Sequence, residues 1–262
     1  MRLIFFKTPD LTSYLARDVR AYDGNIVNVS PQRGMRLLKI YPFNFFPPDI
    51  PVIKLGDPIH EPLQFSQITV LTIHYWPSDV LERCLLPGLP QETEFIKIDN
   101  TGNKMFKSGA EALNYGIRKA SNDVVICAHE DMQFGKNWFQ DFIKQECKLK
   151  DWGALGIVGW EFDGQMRWGS EYEVVHQVRW LDECCIIVNR KNGIWFDQET
   201  FRNFHCYGVD FCYQCYDKKL GVYVLAGTAH HAWRGYDHDQ AWFDQLGIEQ
   251  DLFYKKWARK IS

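Results

Sequence analysis

Ile68-Thr69-Val70-Leu71-Thr72-Ile73 is a short, β-branched run of the kind that forms a strand buried in a parallel sheet. Reading outward from it, Pro77-Ser78-Asp79 opens a helix that reaches about Leu86, and Pro87-Gly88 closes it. Proline suits a first helical turn and cannot continue one. Glu94-Phe95-Ile96-Lys97-Ile98 reads as a second strand and ends in Asp99-Asn100-Thr101-Gly102. Ala110, Leu113, Ile117 and Ala120 then recur three and four apart, the apolar face of a helix. Val124-Val125-Ile126-Cys127-Ala128 is the third strand and runs into His129-Glu130-Asp131. A Trp/Phe-rich helix near residues 137–149 follows, then strands at 155–159 and 184–188. Phe211, Cys212, Cys215 and Tyr216 mark one helix face, and a late strand at 222–225 leads to His230-His231. The alternation predicts an α/β fold, a mainly parallel central sheet with helices on both faces.

The first 65 residues differ. Tyr41 to Pro51 holds four prolines, which forbids a regular helix or central strand; Val52-Ile53-Lys54-Leu55 is an edge-strand candidate. Residues 1–65 are therefore expected to form a strand-and-loop extension packed on a main domain at 66–262. A chain of 262 residues, 46% apolar and 24% charged, buries roughly 70–75% of its unfolded surface and needs no disulfide or metal staple to fold. Thirty Lys+Arg against 33 Asp+Glu give a net charge of -3, no electrostatic footprint for a nucleic-acid partner. No stretch reaches the roughly 18 apolar residues of a membrane span, and the N-terminal apolar run stops at Lys7, short for a signal core. The eight cysteines sit mostly in apolar runs and read as free buried thiols, which points to a soluble, cytoplasmic protein. Cys212-x-x-Cys215 lacks the second pair a structural zinc needs, so core packing is expected there.

Three consecutive strands end in polar groups: Thr72 and His74, then Asp99-Asn100, then His129-Glu130-Asp131. Ligands of open parallel sheets bind beyond the carboxyl ends of the strands. The turn His74-Tyr75-Trp76-Pro77 has no glycine and no P-loop occurs. A bound nucleotide would need another counter-charge for its phosphates, and a cation held by carboxylate and imidazole supplies one.

From about Ile68 to Trp233 the ordered motifs resemble the GT-A glycosyltransferases of family 2, in particular the glycosyltransferase-like branch. Asp99-Asn100-Thr101 is similar to the acidic turn that contacts the nucleoside, and Ala112-Leu113-Asn114-Tyr115-Gly116 to the A-x-N-x-G helix start. His129-Glu130-Asp131 stands where the family has its D-x-D metal motif, in the H-x-D form. Tyr207-Gly208-Val209-Asp210 resembles the region that supplies the catalytic base, with Val209 in place of the usual Glu.

The resemblance implies a metal-dependent, inverting transfer of a sugar from a nucleotide-diphosphate donor, UDP-linked, to a saccharide or lipid-linked acceptor, as in polysaccharide biosynthesis. It implies Asp131 with His230 or His231 as ligands of Mn2+ or Mg2+ and Asp210 as general base. Thr72, His74, Asp99, Asn100, Asn114, His129 and Glu130 are the implied substrate contacts. Plainer readings stand beside these: Asp131 as a helix cap, Asp210 as a first-turn helix acid and Asn114 as a carbonyl cap; Asp182-Glu183 either touches the acceptor or is an ordinary strand entry, the favoured reading. Trp160, Trp168, Trp180 and Trp233 are candidates to stack on sugars. The C-terminal run from Trp242 to Trp257 has amphipathic character; it either packs on the core, the favoured reading, or lies on a membrane surface. Two rivals remain at this level: a non-catalytic sugar- or nucleotide-binding module, and a nucleotidyltransferase, whose glycine- and Arg/Lys-rich first loop is missing here.

Overall fold

The computed structural model describes residues 2–5, 26–28, 45–46, 55–75, 78–161, 166–169, 175–232 and 240–258. Pro77, Trp233, residues 52–54 of the expected edge strand and most of the proline-rich stretch lie outside them.

In the N-terminal part, β1 (Arg2–Phe5), β2 (Ile26–Asn28) and β3 (Phe45–Phe46) form an antiparallel sheet of order β2-β1-β3. The main sheet begins with β4 (Ile68–His74), followed by the short helix α1 (Val80–Arg83), β5 (Glu94–Asp99), α2 (Gly109–Lys119) and β6 (Val124–Ala128). Next come β7 (Met132–Phe134), α3 (Trp138–Glu146), β8 (Trp152–Gly156), β9 (Val158–Trp160), β10 (Met166–Trp168), β11 (His176–Gln177), β12 (Trp180–Leu181) and β13 (Cys185–Asn189). Helix α4 (Tyr207–Asp217), β14 (Gly221–Val224), β15 (Ala229–His231) and α5 (Gln240–Ala258) complete the described chain.

The central sheet has the order β11-β14-β8-β13-β6-β4-β5. Strand β4 lies parallel to both β5 and β6, with Leu71 opposite Ile96 and Cys127. Strand β13 runs antiparallel to both its neighbours, β6 and β8, and β11 is antiparallel to β14. Five of the seven strands thus share one direction, and two run against it.

Side-chain alternation divides the core into two layers. Leu71, Val125, Cys127, Ile186 and Val188 face α2, α4 and α5, which contribute Leu113, Phe211, Cys212, Cys215, Phe253 and Trp257. Val70, Ile126, Ala128 and Ile187 face α3 through Trp138, Phe139 and Phe142. Helix α2 starts where Ser108 accepts the Glu111 N–H at 3.1 Å, which satisfies one of the donors that a helix start leaves open. Cys212 and Cys215 are fully buried in the core, as their spacing predicts. Helix α5 packs on that core through Phe253 and Trp257, while Phe243 and Ile248 stay exposed. Among the described residues no helix is long and apolar enough to cross a membrane.

The expected strand at 155–159 is two strands. The chain leaves the central sheet after Gly156, and β9 joins a smaller sheet of order β10-β9-β12. A Cβ at Gly156 would meet Leu181 Cδ2 at 2.8 Å and the Cys185 carbonyl oxygen at 2.9 Å. Gly156→Ala must therefore push the β13 backbone away. Overpacking of this kind costs about 1–3 kcal/mol, and thermal unfolding should report a melting temperature lower by several degrees.

Candidate functional site

Where β6 ends, the chain turns sharply: the Met132 N–H donates to the His129 carbonyl at 3.2 Å, and β7 begins. Strand β15 pairs with β7 in antiparallel register, His231 opposite Met132 and His230 opposite Gln133. Successive strand residues point to opposite faces, so only one of the two histidines can turn toward Asp131. It is His231: its Nε2 lies 3.1 Å from Asp131 Oδ1, and its ring centroid lies 5.5 Å from that of His129. His230 is exposed on the other face, which removes it from the expected ligand set. One ligand atom each from His129, Asp131 and His231 lie within 4.8 Å of one another.

Hydrogen bonding and charge set the electrostatics of the cluster. Burial raises the Asp131 carboxyl, but the hydrogen bond and charge of His231, together with His129, outweigh it and hold the group below its ordinary range. Burial lowers His231, and Asp131 more than reverses this, lifting the imidazole above its usual value. Desolvation and the neighbouring His231 charge hold His129 low. An NMR titration should accordingly find His231 protonated to a higher pH than His129. Asp131→Asn should bring the His231 midpoint down, and an unmoved midpoint would contradict the pairing.

Two imidazoles and one carboxylate make a donor set suited to a divalent first-row metal such as Mn2+, and less suited to Mg2+, which prefers oxygen ligands.

The remaining expected contacts are spread around this point. His74 and Glu130, both buried, join the tips of β4 and β6, with Nδ1 2.6 Å from Oε2; the Tyr75 N–H donates to Oε1 at 3.3 Å. Asp99 is exposed and accepts from the Thr101 hydroxyl and N–H at 2.7 and 3.1 Å, which hold its carboxyl low. Two expected contacts are occupied within the protein, and a third is sealed inside it. Asn100 is fully buried: its Oδ1 accepts the Met105 and Phe106 N–H groups and its Nδ2 donates to the Phe106 carbonyl, so it shapes the loop after β5. Asn114 pairs with the backbone of Phe196 in both directions and clamps α2 to that segment. Thr72 is fully buried, with its hydroxyl unpartnered among the described residues.

Asp210, the expected base, has another position. It is fully buried between α4 and α5. Its Oδ1 accepts from Lys256 Nζ at 2.6 Å and Trp257 Nε1 at 2.8 Å, and its Oδ2 from Gln214 Nε2 at 2.8 Å. Burial raises its pKa against the pull of Lys256 and these donors. With both oxygens engaged and no exposed surface, the Asp210 carboxylate ties α5 to the core here and does not stand open toward the His129–Asp131–His231 cluster as a free base would.

The site also gains residues the motifs did not single out. The His129 N–H donates to the Cys184 carbonyl at 2.8 Å, which sets Asp182 and Glu183 beside the tip of β6. The Asp182 carboxylate acts electrostatically on both His129 and His231. A sheet read as parallel puts the start of the Cys185 strand at the far edge. Because β13 runs antiparallel, its start lies at the edge where β4, β5 and β6 finish.

No protein-family model matches this chain, and no curated protein matches it. Solved structures do. The mannosyltransferase PcManGT from Pyrobaculum calidifontis, in complex with GDP-Man and Mn2+, superposes with a TM-score of 0.51 at 15% identity, over 87% of this chain and 70% of that one. GalNAc-T7 with UDP, GalNAc and Mn2+ gives 0.49 at 9% identity over 88% and 58% of the two chains. TarS 1-349 from S. aureus gives 0.44 at 13% identity, over 72% of each. The architecture is that of the GT-A glycosyltransferase fold.

Proposed function

We propose that this chain is a metal-dependent glycosyltransferase of the family 2 type. It moves a sugar from a nucleoside-diphosphate donor, UDP-linked, to the hydroxyl of a saccharide or lipid-linked acceptor, with inversion at the anomeric carbon. The observation that carries this reading is the His129–Asp131–His231 cluster at the carboxyl end of β6, the place where open α/β sheets bind ligands. The Mn2+ and nucleotide-sugar of the Pyrobaculum mannosyltransferase complex add support.

His129, Asp131 and His231 would hold the cation. Bound there, it supplies Lewis-acid neutralisation of the diphosphate that departs with the nucleoside. The protein's own groups do the rest. His74 and Glu130 brace the strand tips, so that the loop carrying His129 and Asp131 stays fixed. Asp99, exposed at the end of β5, is the acceptor placed for a nucleoside hydroxyl or ring N–H. Trp160 and Trp180, with ring centroids 6.1 Å apart, are the aromatic pair we assign to stacking on a sugar. We place the reaction in polysaccharide assembly on the cytoplasmic side, with any membrane contact peripheral.

A thermal-shift panel tests the reading. UDP and GDP, each alone, with Mn2+ and with Mn2+ plus EDTA, should raise the melting temperature only when metal and nucleotide are both free to bind, since a ligand bound by the native state alone stabilises it. No shift with either nucleotide in the presence of Mn2+ would refute it.

A further inference from the structure

Glu183 sits one residue from Cys184, whose carbonyl is bonded to the His129 N–H, and one residue from Asp182, which acts on both metal-site imidazoles. Its side chain crosses to the start of α4, where Oε1 accepts the Gly208 N–H at 2.9 Å. That approach depends on glycine. A Cβ at position 208 would stand 2.6 Å from Glu183 Cγ and 3.3 Å from Oε1, so the carboxyl fills room that any other residue would occupy. The turn leading into α4 is constrained as well: Cys206 holds φ at 61°, a left-handed conformation uncommon for a residue with a side chain. Glu183 is half-buried rather than sealed, and among the described residues its Oε2 has no hydrogen-bond partner. Asp210, two residues beyond Gly208, is fully sealed.

We propose that Glu183 is the proton acceptor of the transfer step, the role that the motif pattern assigned to Asp210. The proposal rests on the glycosyl-transfer reading above. As the acceptor oxygen forms its bond to the anomeric carbon, its proton passes to the Glu183 carboxylate. The bond from that carbon to the diphosphate oxygen breaks, and its electron pair leaves with the nucleoside diphosphate. With water in place of the acceptor the same step is donor hydrolysis. Gly208 positions the carboxyl, and its N–H engages one oxygen while the other receives the proton.

The surroundings suit a base that works near neutrality. Burial, with the charges of Asp182 and Glu249, pushes the Glu183 carboxyl up to about 8 against the pull of the Gly208 N–H. Cys206, Tyr207 and Cys212 of the packed turn and helix also face it, each raised by burial first and by Glu183 in addition. The sign follows: the carboxylate form, and turnover with it, grows as pH rises through that value.

The test compares the parent, Glu183→Gln and Gly208→Ala on UDP- and GDP-sugars with Mn2+. It follows release of the nucleoside diphosphate across pH and, separately, the melting-temperature rise produced by Mn2+ and nucleotide. Glu183→Gln should keep the melting-temperature rise, lose about 10²–10⁴-fold in kcat, and lose the increase of rate toward alkaline pH. Gly208→Ala, whose methyl displaces the carboxyl, should lower kcat with binding retained, and it decides the matter if the glutamine variant does not fold. Unchanged turnover in both variants overturns the proposal while leaving the transferase reading intact. Turnover lost together with the melting-temperature rise overturns it too, because it assigns Glu183 a structural part. If the parent cleaves no donor, the function reading fails and the base assignment falls with it.

Discussion

Asp131→Asn should abolish the response of this protein to Mn2+. Asp131 supplies the one carboxylate of the His129–Asp131–His231 cluster, and Asn offers a neutral oxygen in its place. The two imidazoles would remain, but without the charge that attracts the cation and without the hydrogen bond that orients His231. Loss of a group that merely orients a ligand already weakens metal binding by 10–100-fold. Loss of the charged ligand should therefore weaken it by at least about 100-fold, read by Mn2+ titration, and should remove the metal-dependent stabilisation by nucleotide. The residue is partly exposed, so the fold should survive. His230→Ala, on the opposite face of β15, is the control and should bind Mn2+ as the parent does. Parent-like affinity in Asp131→Asn would remove the proposed metal site.

Asp210→Ala should have its large effect on stability. The substitution leaves Lys256 Nζ and Trp257 Nε1 facing a void in the α4–α5 interface. Removing one partner of a buried ion pair costs about 3–5 kcal/mol. Lys256 keeps a second partner in Asp197 at 2.7 Å, which places the expectation at the lower end, about 3 kcal/mol. For a chain of this size that is a fall in melting temperature of roughly 6–12 °C. Mn2+ binding by the folded fraction should be unchanged. A variant of parental stability that had lost turnover would return Asp210 to the chemistry.

These two carboxylates show how far the motifs could be read. Each closes a short motif next to a helix start or strand end, and on local grounds each is as fit a ligand or base as the other. What separates them is what comes to meet them. Strand β15 brings His231 to Asp131 from 100 residues downstream. Helix α5 brings Lys256 and Trp257 to Asp210 and closes it off. Asn100 and Asn114 make the same point, since an amide that pairs with backbone looks no different in sequence from one that pairs with a ligand.

Local composition determined a good deal by itself. The β-branched run at Ile68, the helical spacing of Ala110, Leu113 and Ile117, and the polar ends of three strands follow from steric preference and from burial of apolar surface, which act within a few residues. Strand direction and facing do not. That β13 runs against β6, that His231 rather than His230 turns inward, and that Glu183 reaches Gly208 were decided only when distant segments paired. Hydrogen-bond register and packing contacts form between residues that have no influence on one another along the chain.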